Sequence, residues 1–118
     1  MEPAKVLVVD DEPSILRLLN EALTQWGYQV TTTANAREAI EALRTGLFDA
    51  AITDIRMPDM SGLELLREIK KHDDAIEVLV MTGYPTIGSA VEALKEGAYD
   101  YLSKPLILDE LRHLMARV

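Results

Sequence analysis

The chain of 118 residues is the size of one domain, and 48% hydrophobic with 27% charged residues is ordinary for a soluble globular fold. Its net charge of −8 argues against a nucleic-acid binder, and the absence of cysteine excludes disulfides and thiolate metal sites. No apolar stretch approaches the roughly 20 residues of a membrane span. Residues 1–5 lack a secretion signal, so we expect a cytoplasmic protein.

The chain opens with a pattern typical of a buried strand followed by a helix. Residues 6–9 form a continuous apolar run, as expected of a strand covered on both faces. An amphipathic helix follows, with Pro13 suited to its first turn and Gly27 to its end. Residues 28–33 are rich in β-formers but more polar, which predicts an edge strand.

A second helix and a third strand come next. Asn35 and Glu38 form a plausible capping pair for this helix, which Gly46 closes. The short apolar run 50–53 then predicts a buried strand that ends in the carboxylate of Asp54, and Pro58 helps to close it.

The second half of the chain repeats the same order. Ser61 with Glu64 resembles a capping box that opens a third helix, and residues 77–81 predict a fourth strand. A fourth helix is predicted by apolar residues at helical spacing, namely Ile87, Ala90, Val91 and Leu94. Gly97 lies beyond the end of that helix.

Residues 99–103 predict a fifth short strand that ends at Lys104 and Pro105, and a last helix follows. This helix reaches Val118 on its apolar stripe without a capping signal, which is expected either of a chain cut from something longer or of a frayed natural end. The uninterrupted strand–helix alternation predicts one α/β domain over residues 1–118, with a parallel sheet covered by helices on both faces.

Polar residues follow the predicted strands directly. Asp10 and Asp11 follow the first strand, Asp54 ends the third, Thr82 follows the fourth and Lys104 the fifth. Because the carboxyl ends of parallel strands share one edge, these groups should converge. Carboxylates at close quarters repel unless a cation lies between them, and hard oxygen ligands favour Mg²⁺ or Mn²⁺ over zinc.

Each of these residues also has an ordinary structural role to weigh. The acids after the first strand could favour a helix N-terminus, Thr82 could bond nearby backbone in a turn, and Lys104 could be a solvated charge. Their coincidence on one sheet edge favours a site. A nucleotide or flavin site is disfavoured, since acids rather than glycines follow the first strand.

Four motifs carry a family resemblance that runs essentially end to end. They are residues 8–12 (VVDDE), 54–62 (DIRMPDMSG), 81–83 (MTG) and 97–105 (GAYDYLSKP). In this order and spacing they resemble the receiver domain of two-component response regulators. The resemblance implies a flavodoxin-like (βα)5 three-layer sandwich with a five-stranded parallel sheet of order 2-1-3-4-5.

The resemblance also implies roles at the site. Asp54 is the phospho-acceptor. Asp11 and Asp54 bind Mg²⁺ directly together with the backbone carbonyl of Arg56, while Asp10 reaches the ion mostly through water. Mn²⁺ could replace Mg²⁺. The phosphoryl donor is a phosphohistidine on a sensor histidine kinase, so the chain needs no ATP site.

Three further expectations follow from the same family. Thr82 and Lys104 hold phosphoryl oxygens, and Tyr101 is the aromatic switch that turns inward when the phosphoryl group draws Thr82 toward it. The Lys104–Pro105 peptide bond is cis. Without the resemblance, Tyr101 would be interpreted as a half-buried aromatic on an edge strand.

Two rival functions differ in class. An aspartate-nucleophile phosphatase of the haloacid-dehalogenase type shares the Asp, hydroxyl, Lys and acidic pair, but its general acid/base lies two residues after the nucleophile, where this chain has Arg56. The other rival is a pseudo-receiver that binds partners without phosphorylation.

Without a base near Asp54, the acyl phosphate should persist, and we hypothesise that Tyr84 partly shields it.

The output surface is the least defined part of the sequence. Helix four, strand five and helix five carry mixed charges that allow a symmetric homodimer, although a solvated face has the same composition. Residues 81–84 and 98–102 resemble receivers attached to sigma-54-type activator ATPases, which implies an output domain of that kind. The residues name neither the cognate kinase nor the regulated process.

Overall fold

A computed structural model describes residues 3–118, in which five strands alternate with five helices. The strands are β1 Lys5–Val9, β2 Gln29–Thr33, β3 Ala50–Asp54, β4 Glu77–Thr82 and β5 Asp100–Ser103. The helices are α1 Pro13–Gln25, α2 Ala36–Thr45, α3 Gly62–His72, α4 Ile87–Lys95 and α5 Leu108–Met115. The predicted alternation is confirmed. Within the segment 1–5, which lacks a secretion signal, residues 1 and 2 lie outside the described part of the chain.

The strands form one parallel sheet in the order β2-β1-β3-β4-β5, as predicted. Val8 pairs with Ile52 across β1 and β3, and Ile52 pairs with Leu79 across β3 and β4. With every pairing parallel, all five carboxyl ends lie along one edge. This edge is where ligands bind in open α/β sheets.

Alternate residues of the central strands enter two separate cores. Leu7 and Val9 pack on the side of α2, α3 and α4, whereas Val6 and Val8 pack on the side of α1 and α5. All four side chains are fully buried, which explains why β1 is apolar without alternation. The arrangement is the predicted three-layer sandwich, with the sheet in the middle.

Two glycines end helices as their positions predict. Gly27 after α1 and Gly97 after α4 have φ of 97° and 99°, a region that other residues rarely adopt. Gly46 ends α2 differently, with an extended φ of −139°.

The helix N-termini agree only in part with the predicted caps. Asn35 caps α2 by accepting from the backbone N–H of Glu38 at 2.9 Å, as predicted. Ser61 caps α3, but its hydroxyl accepts from Leu63 N–H at 3.2 Å rather than from Glu64 N–H. The predicted capping box at Ser61 is therefore wrong in its partner.

Helix α4 is present but does not bury its apolar stripe. Ile87 is 86% exposed, Leu94 is 53% exposed and Val91 is 45% exposed, while Ala93 is the buried residue of the helix. Its apolar pattern therefore predicts the helix but not the face that meets the core. The last helix also ends at Met115, before the end of the predicted stripe. No helix within residues 3–118 is long and apolar enough to cross a bilayer.

Candidate functional site

A cavity of about 200 Å³ lies at the carboxyl edge of the sheet and collects most of the predicted site residues. It is lined by Asp11, Glu12, Asp54, Arg56, Thr82, Gly83, Tyr84 and Lys104. Asp54 and Lys104 are 50 residues apart in the chain. They meet because β3 and β5 end on the same edge.

Lys104 is the centre of the site. Its Nζ lies 2.8 Å from Asp10 Oδ2, 3.1 Å from Glu12 Oε1 and 3.2 Å from Asp54 Oδ2. Asp10 is fully buried and Asp54 is 5% exposed, whereas Glu12 reaches the ammonium from the solvent side. One cation is therefore shared by three carboxylates.

Burial and pairing shift two pKa values in this group. Burial raises the pKa of the Asp10 carboxyl above its ordinary 3.8, and the contact with Lys104 and the Glu12 N–H only partly offset this. Burial alone would lower the pKa of the Lys104 ammonium, but contacts with Asp10 and Glu12 outweigh burial and raise it above 10.5. Lys104 is therefore charged throughout the physiological range.

The acidic groups fit a hard metal ion. One carboxylate oxygen from each of Asp10, Glu12 and Asp54 lies within 4.8 Å of the others. Asp10 Oδ2 is buried and lies 2.8 Å from Lys104 Nζ, which also faces the other two acids. Three carboxylates grouped around one ammonium retain excess negative charge that suits a further cation, and oxygen ligands suit Mg²⁺ or Mn²⁺. The cluster could hold a metal.

The predicted acidic pair differs in one respect from the observed cluster. Asp11 is exposed and lines the cavity, but the close group contains Glu12 instead. The sequence signal for Glu12 was the run of three acids after β1. Because Glu12 lies at the start of α1, it was interpreted as an acid that favours the helix N-terminus.

The loop between β3 and α3 carries Arg56. Ile55 N–H donates to Met81 O at 3.1 Å, and Gly62 N–H donates to Ile55 O at 2.7 Å, so the loop returns on itself. A Cβ at Gly62 would lie 2.7 Å from Ile55 Cα and would also overlap the Asp54 carbonyl. The chain therefore needs glycine there to keep the loop against β3.

The Arg56 side chain lies over the Tyr84 ring, with 4.1 Å between its guanidinium carbon and the ring centroid. The two residues come from different loops, after β3 and after β4, and both line the cavity. Sequence spacing placed each residue near the site, but not their contact.

Thr82 is 1% exposed, and its hydroxyl accepts from Tyr84 N–H at 3.1 Å. Lys104 N–H donates to Thr82 O at 2.8 Å, which fixes β4 and the residue after β5 together. The Lys104–Pro105 bond is cis, as expected.

Tyr101 lies half-buried on β5, and its hydroxyl reaches the start of α4. It lies 2.6 Å from Ser89 Oγ and accepts from Thr86 N–H at 3.3 Å. The ring packs beside the core on the α2, α3 and α4 side of the sheet. Tyr101 thus connects an edge strand to the helix that buries least of its apolar surface.

The model of the response regulator receiver domain family matches residues 6–116, and the chain belongs to this family. Among curated relatives, the transcriptional regulatory protein ZraR of Klebsiella oxytoca is 47% identical over 111 residues, which are 94% of this chain and 25% of the relative. The DNA-binding transcriptional regulator NtrC of Escherichia coli is 42% identical over 117 residues, or 99% and 25%. The chain thus spans about a quarter of these relatives.

Solved structures agree with the assignment. A response regulator receiver domain protein from Methanospirillum hungatei JF-1 has a TM-score of 0.94 at 31% identity, with 98% of this chain and 92% of that chain covered. The beryllofluoride-activated NtrC4 receiver domain dimer has a TM-score of 0.88 at 34% identity, covering 96% and 97%. The family assignment does not favour the phosphatase alternative.

Proposed function

We propose that Asp54 accepts a phosphoryl group from a phosphohistidine of a sensor histidine kinase, in a reaction that requires Mg²⁺. The observation that carries this proposal is the position of Lys104 Nζ, 3.2 Å from Asp54 Oδ2, within a cavity open to solvent. A nucleophilic carboxylate needs a neighbouring cation to approach an anionic phosphoryl group.

The proposed transfer balances without another reactant. An Asp54 carboxylate oxygen attacks phosphorus, and the phosphorus–nitrogen bond of a phosphohistidine that is protonated on its other ring nitrogen breaks, so that neutral imidazole leaves. Lys104 offsets the negative charge of the transferred group. The Thr82 hydroxyl, which accepts from Tyr84 N–H in this structure, leaves that hydrogen bond and donates to a phosphoryl oxygen. The product is an acyl phosphate on Asp54.

For the metal, we propose Asp10, Asp11, Asp54 and the carbonyl of Arg56 as the holding groups, with Glu12 near the ion. Bound there, Mg²⁺ would neutralise charge on the phosphoryl oxygens. Within the acceptor loop, Arg56 stands where a general base would be needed for prompt hydrolysis. The chain should therefore act as a phospho-acceptor that retains its phosphoryl group, rather than as a phosphatase.

The conformational switch that we propose for this chain involves Thr82, Tyr101 and α4. Movement of Thr82 toward a phosphoryl group would let Tyr101 exchange its contacts with Ser89 and Thr86, which begin α4. Because α4 exposes Ile87, Val91 and Leu94, a shift of this helix changes an apolar surface that a partner can recognise.

The partners we propose are a sensor histidine kinase and an output domain, of the sigma-54 activator ATPase kind. The relatives that support this choice are four times longer than the matched region, and they include the transcriptional regulators ZraR and NtrC. The beryllofluoride-activated NtrC4 receiver domain dimer supports homodimerisation on phosphorylation, for which we propose the α4–β5–α5 face. A cytoplasmic location fits such a role, and residues 1–118 would form one receiver domain.

The proposal is tested by intact mass after incubation with Mg²⁺ and acetyl phosphate. We expect one added phosphoryl group in the wild-type chain and none in Asp54→Asn. The matched control is Asp74→Asn, an exposed acid in the loop after α3, which should be modified like the wild type.

Two results would contradict the proposal in different ways. A wild-type chain that stays unmodified would favour a pseudo-receiver. Steady release of phosphate from many phosphomonoesters would favour an aspartate-nucleophile phosphatase.

A further inference from the structure

We propose that Asp59 is a positioning residue, which ties the loop after β3 to the N-terminus of α2 and thereby holds the Arg56 backbone in place for the metal. This inference rests on the proposed function, since it concerns the same metal and the same acceptor Asp54. Asp59 touches neither group and acts through the loop that carries Arg56.

The tie consists of two hydrogen bonds to one helix end. Asp59 Oδ1 accepts from Ala36 N–H at 3.2 Å, and Asp59 Oδ2 accepts from Arg37 N–H at 3.0 Å. Both donors lie in the first turn of α2, where backbone N–H groups lack partners within the helix. A carboxylate is favoured there by the helix dipole as well.

Asn35 takes the third free N–H group of the same turn. Its side chain accepts from Glu38 N–H at 2.9 Å, and this bond stays within the helix and its own cap residue. The N-terminus of α2 is therefore capped by one local acceptor, Asn35, and by one acceptor from 23 residues further along the chain, Asp59. Asp59 caps the helix with two hydrogen bonds and Asn35 with one, but only Asp59 fastens a second element.

The loop has few other polar attachments. Its two ends are held by Ile55 N–H to Met81 O at 3.1 Å and by Gly62 N–H to Ile55 O at 2.7 Å. Between them, within the described part of the chain, Asp59 provides the hydrogen bonds that join residues 57–60 to another element. Met57 and Met60 only pack against the core edge.

The helix to which Asp59 is tied is a rigid support. Ala36 and Ala39 are fully buried, and Leu43 is nearly so, which fixes α2 on the sheet. The exposed Asp59 carboxylate is held in its charged form, because the Arg37 N–H lowers its pKa below 3.8. The tie is therefore fully formed at neutral pH.

Loss of the tie should loosen the loop around Arg56 more than it unfolds the domain. Groups that orient metal ligands typically contribute about 10- to 100-fold to metal affinity. Because Asp59 acts through three residues of backbone, we expect the lower end of that range, about a tenfold weaker affinity for Mg²⁺ in Asp59→Ala.

The experiment compares Asp59→Ala with Asn35→Ala in the unphosphorylated chain. Mg²⁺ affinity is measured by calorimetric titration, and stability by denaturant unfolding followed through Trp26 fluorescence. Both variants remove acceptors from the α2 N-terminus, so both should lose stability, Asp59→Ala the more because it removes two hydrogen bonds and Asn35→Ala one. Only Asp59→Ala should lose about tenfold in Mg²⁺ affinity. Asp59→Asn keeps one acceptor oxygen, so its Mg²⁺ affinity should lie between those of Asp59→Ala and the wild type.

The outcomes separate the inference from the proposed function. Equal Mg²⁺ losses in Asp59→Ala and Asn35→Ala would overturn the positioning role, because the effect would then come from the helix end. An unchanged affinity in Asp59→Ala and Asp59→Asn would overturn it as well. A wild-type chain that fails to bind Mg²⁺ would overturn the proposed function, and this inference with it. If Asp59→Ala does not fold, Asp59→Asn decides the question.

Discussion

Lys104 Nζ lies 2.8 Å from Asp10 Oδ2 while it also lies 3.2 Å from Asp54 Oδ2, so two buried carboxylates share one ammonium. Glu12 adds a third acid from the solvent side. The group is therefore net negative, and two of its three carboxylates, those of Asp10 and Asp54, are buried. Such a site costs folding free energy, and its excess negative charge favours the binding of a cation.

Asp10→Asn should stabilise the chain in the absence of metal. Asparagine keeps an oxygen for the Glu12 N–H, which Asp10 accepts at 2.9 Å, and removes a buried charge. We expect a gain of about 1 kcal/mol in the free energy of unfolding at pH 7. The measurement is denaturant unfolding without Mg²⁺, with Asp74→Asn as the exposed control, which should change by less than about 0.5 kcal/mol.

The gain should depend on pH with a definite sign. Since burial raises the folded-state pKa of Asp10, the native state loses stability as pH rises from 3.8 through that pKa and carries the full penalty above it, whereas below 3.8 both states are protonated. The advantage of Asp10→Asn should therefore disappear as pH falls below 3.8. An advantage that persists in acid would mean that burial of the charge is not its cause.

Gly62→Ala should strongly destabilise the domain. The added Cβ would meet the backbone at Ile55 Cα and at the Asp54 carbonyl, which cannot move without distorting β3. We expect a loss of about 3 kcal/mol or more in unfolding free energy. Gly88→Ala in α4 is the matched control, because nothing lies within 4 Å of its Cβ position. That variant should be neutral or stabilised by up to about 1 kcal/mol.

Tyr101→Phe should loosen α4 while leaving the acceptor chemistry intact. The change removes the contacts of the hydroxyl with Ser89 and Thr86, at a cost of about 1 kcal/mol to local stability. Amide hydrogen exchange across α4 should quicken by about fivefold. Tyr28→Phe, remote from α4, should leave that exchange unchanged. Unaltered exchange in Tyr101→Phe would show that these hydrogen bonds do not hold the helix.

Tyr84→Ala should shorten the lifetime of the phosphorylated state. Tyr84 is held over the cavity by Arg56, whose guanidinium carbon lies 4.1 Å from the ring centroid. Without the ring, water should reach the acyl phosphate more easily, and we expect about two- to fivefold faster dephosphorylation, which corresponds to a barrier lower by about 0.5–1 kcal/mol. The loss of the phosphoryl group is followed by mass over time. Tyr99→Ala is the control and should dephosphorylate like the wild type. Equal dephosphorylation rates in Tyr84→Ala and the wild type would contradict the hypothesis that Tyr84 shields the acyl phosphate.

Much of the fold follows from local patterns that need no tertiary information. The apolar run 6–9 has one stable environment, between two layers of helices, and this requires the parallel sheet. Gly27 and Gly97 end helices because few other residues adopt their φ values. The convergence of Asp10, Asp54 and Lys104 then follows from the common edge of parallel strands.

Local sequence patterns did not predict which face of a helix is buried or which backbone N–H a capping side chain bonds. Apolar residues of α4 predicted a helix, but packing turned Ile87 and Leu94 outward and buried Ala93 instead. Ser61 was correctly expected to cap α3, while its donor, Leu63 N–H, depended on the approach of the loop. Periodicity reports that a segment is helical, whereas its neighbours determine which side is covered.

The contacts that give the site its detail join residues that are remote in the chain. Glu12 reaches Lys104 across 92 residues, and Asp59 reaches Ala36 across 23. A single sequence places such residues near an edge of the sheet, but their side-chain directions are set by the packing of separate loops and helices. The amino acids alone therefore specify the sheet and the edge where Asp54 lies, and the assembled layers select which acid meets Lys104 and which helix holds the loop.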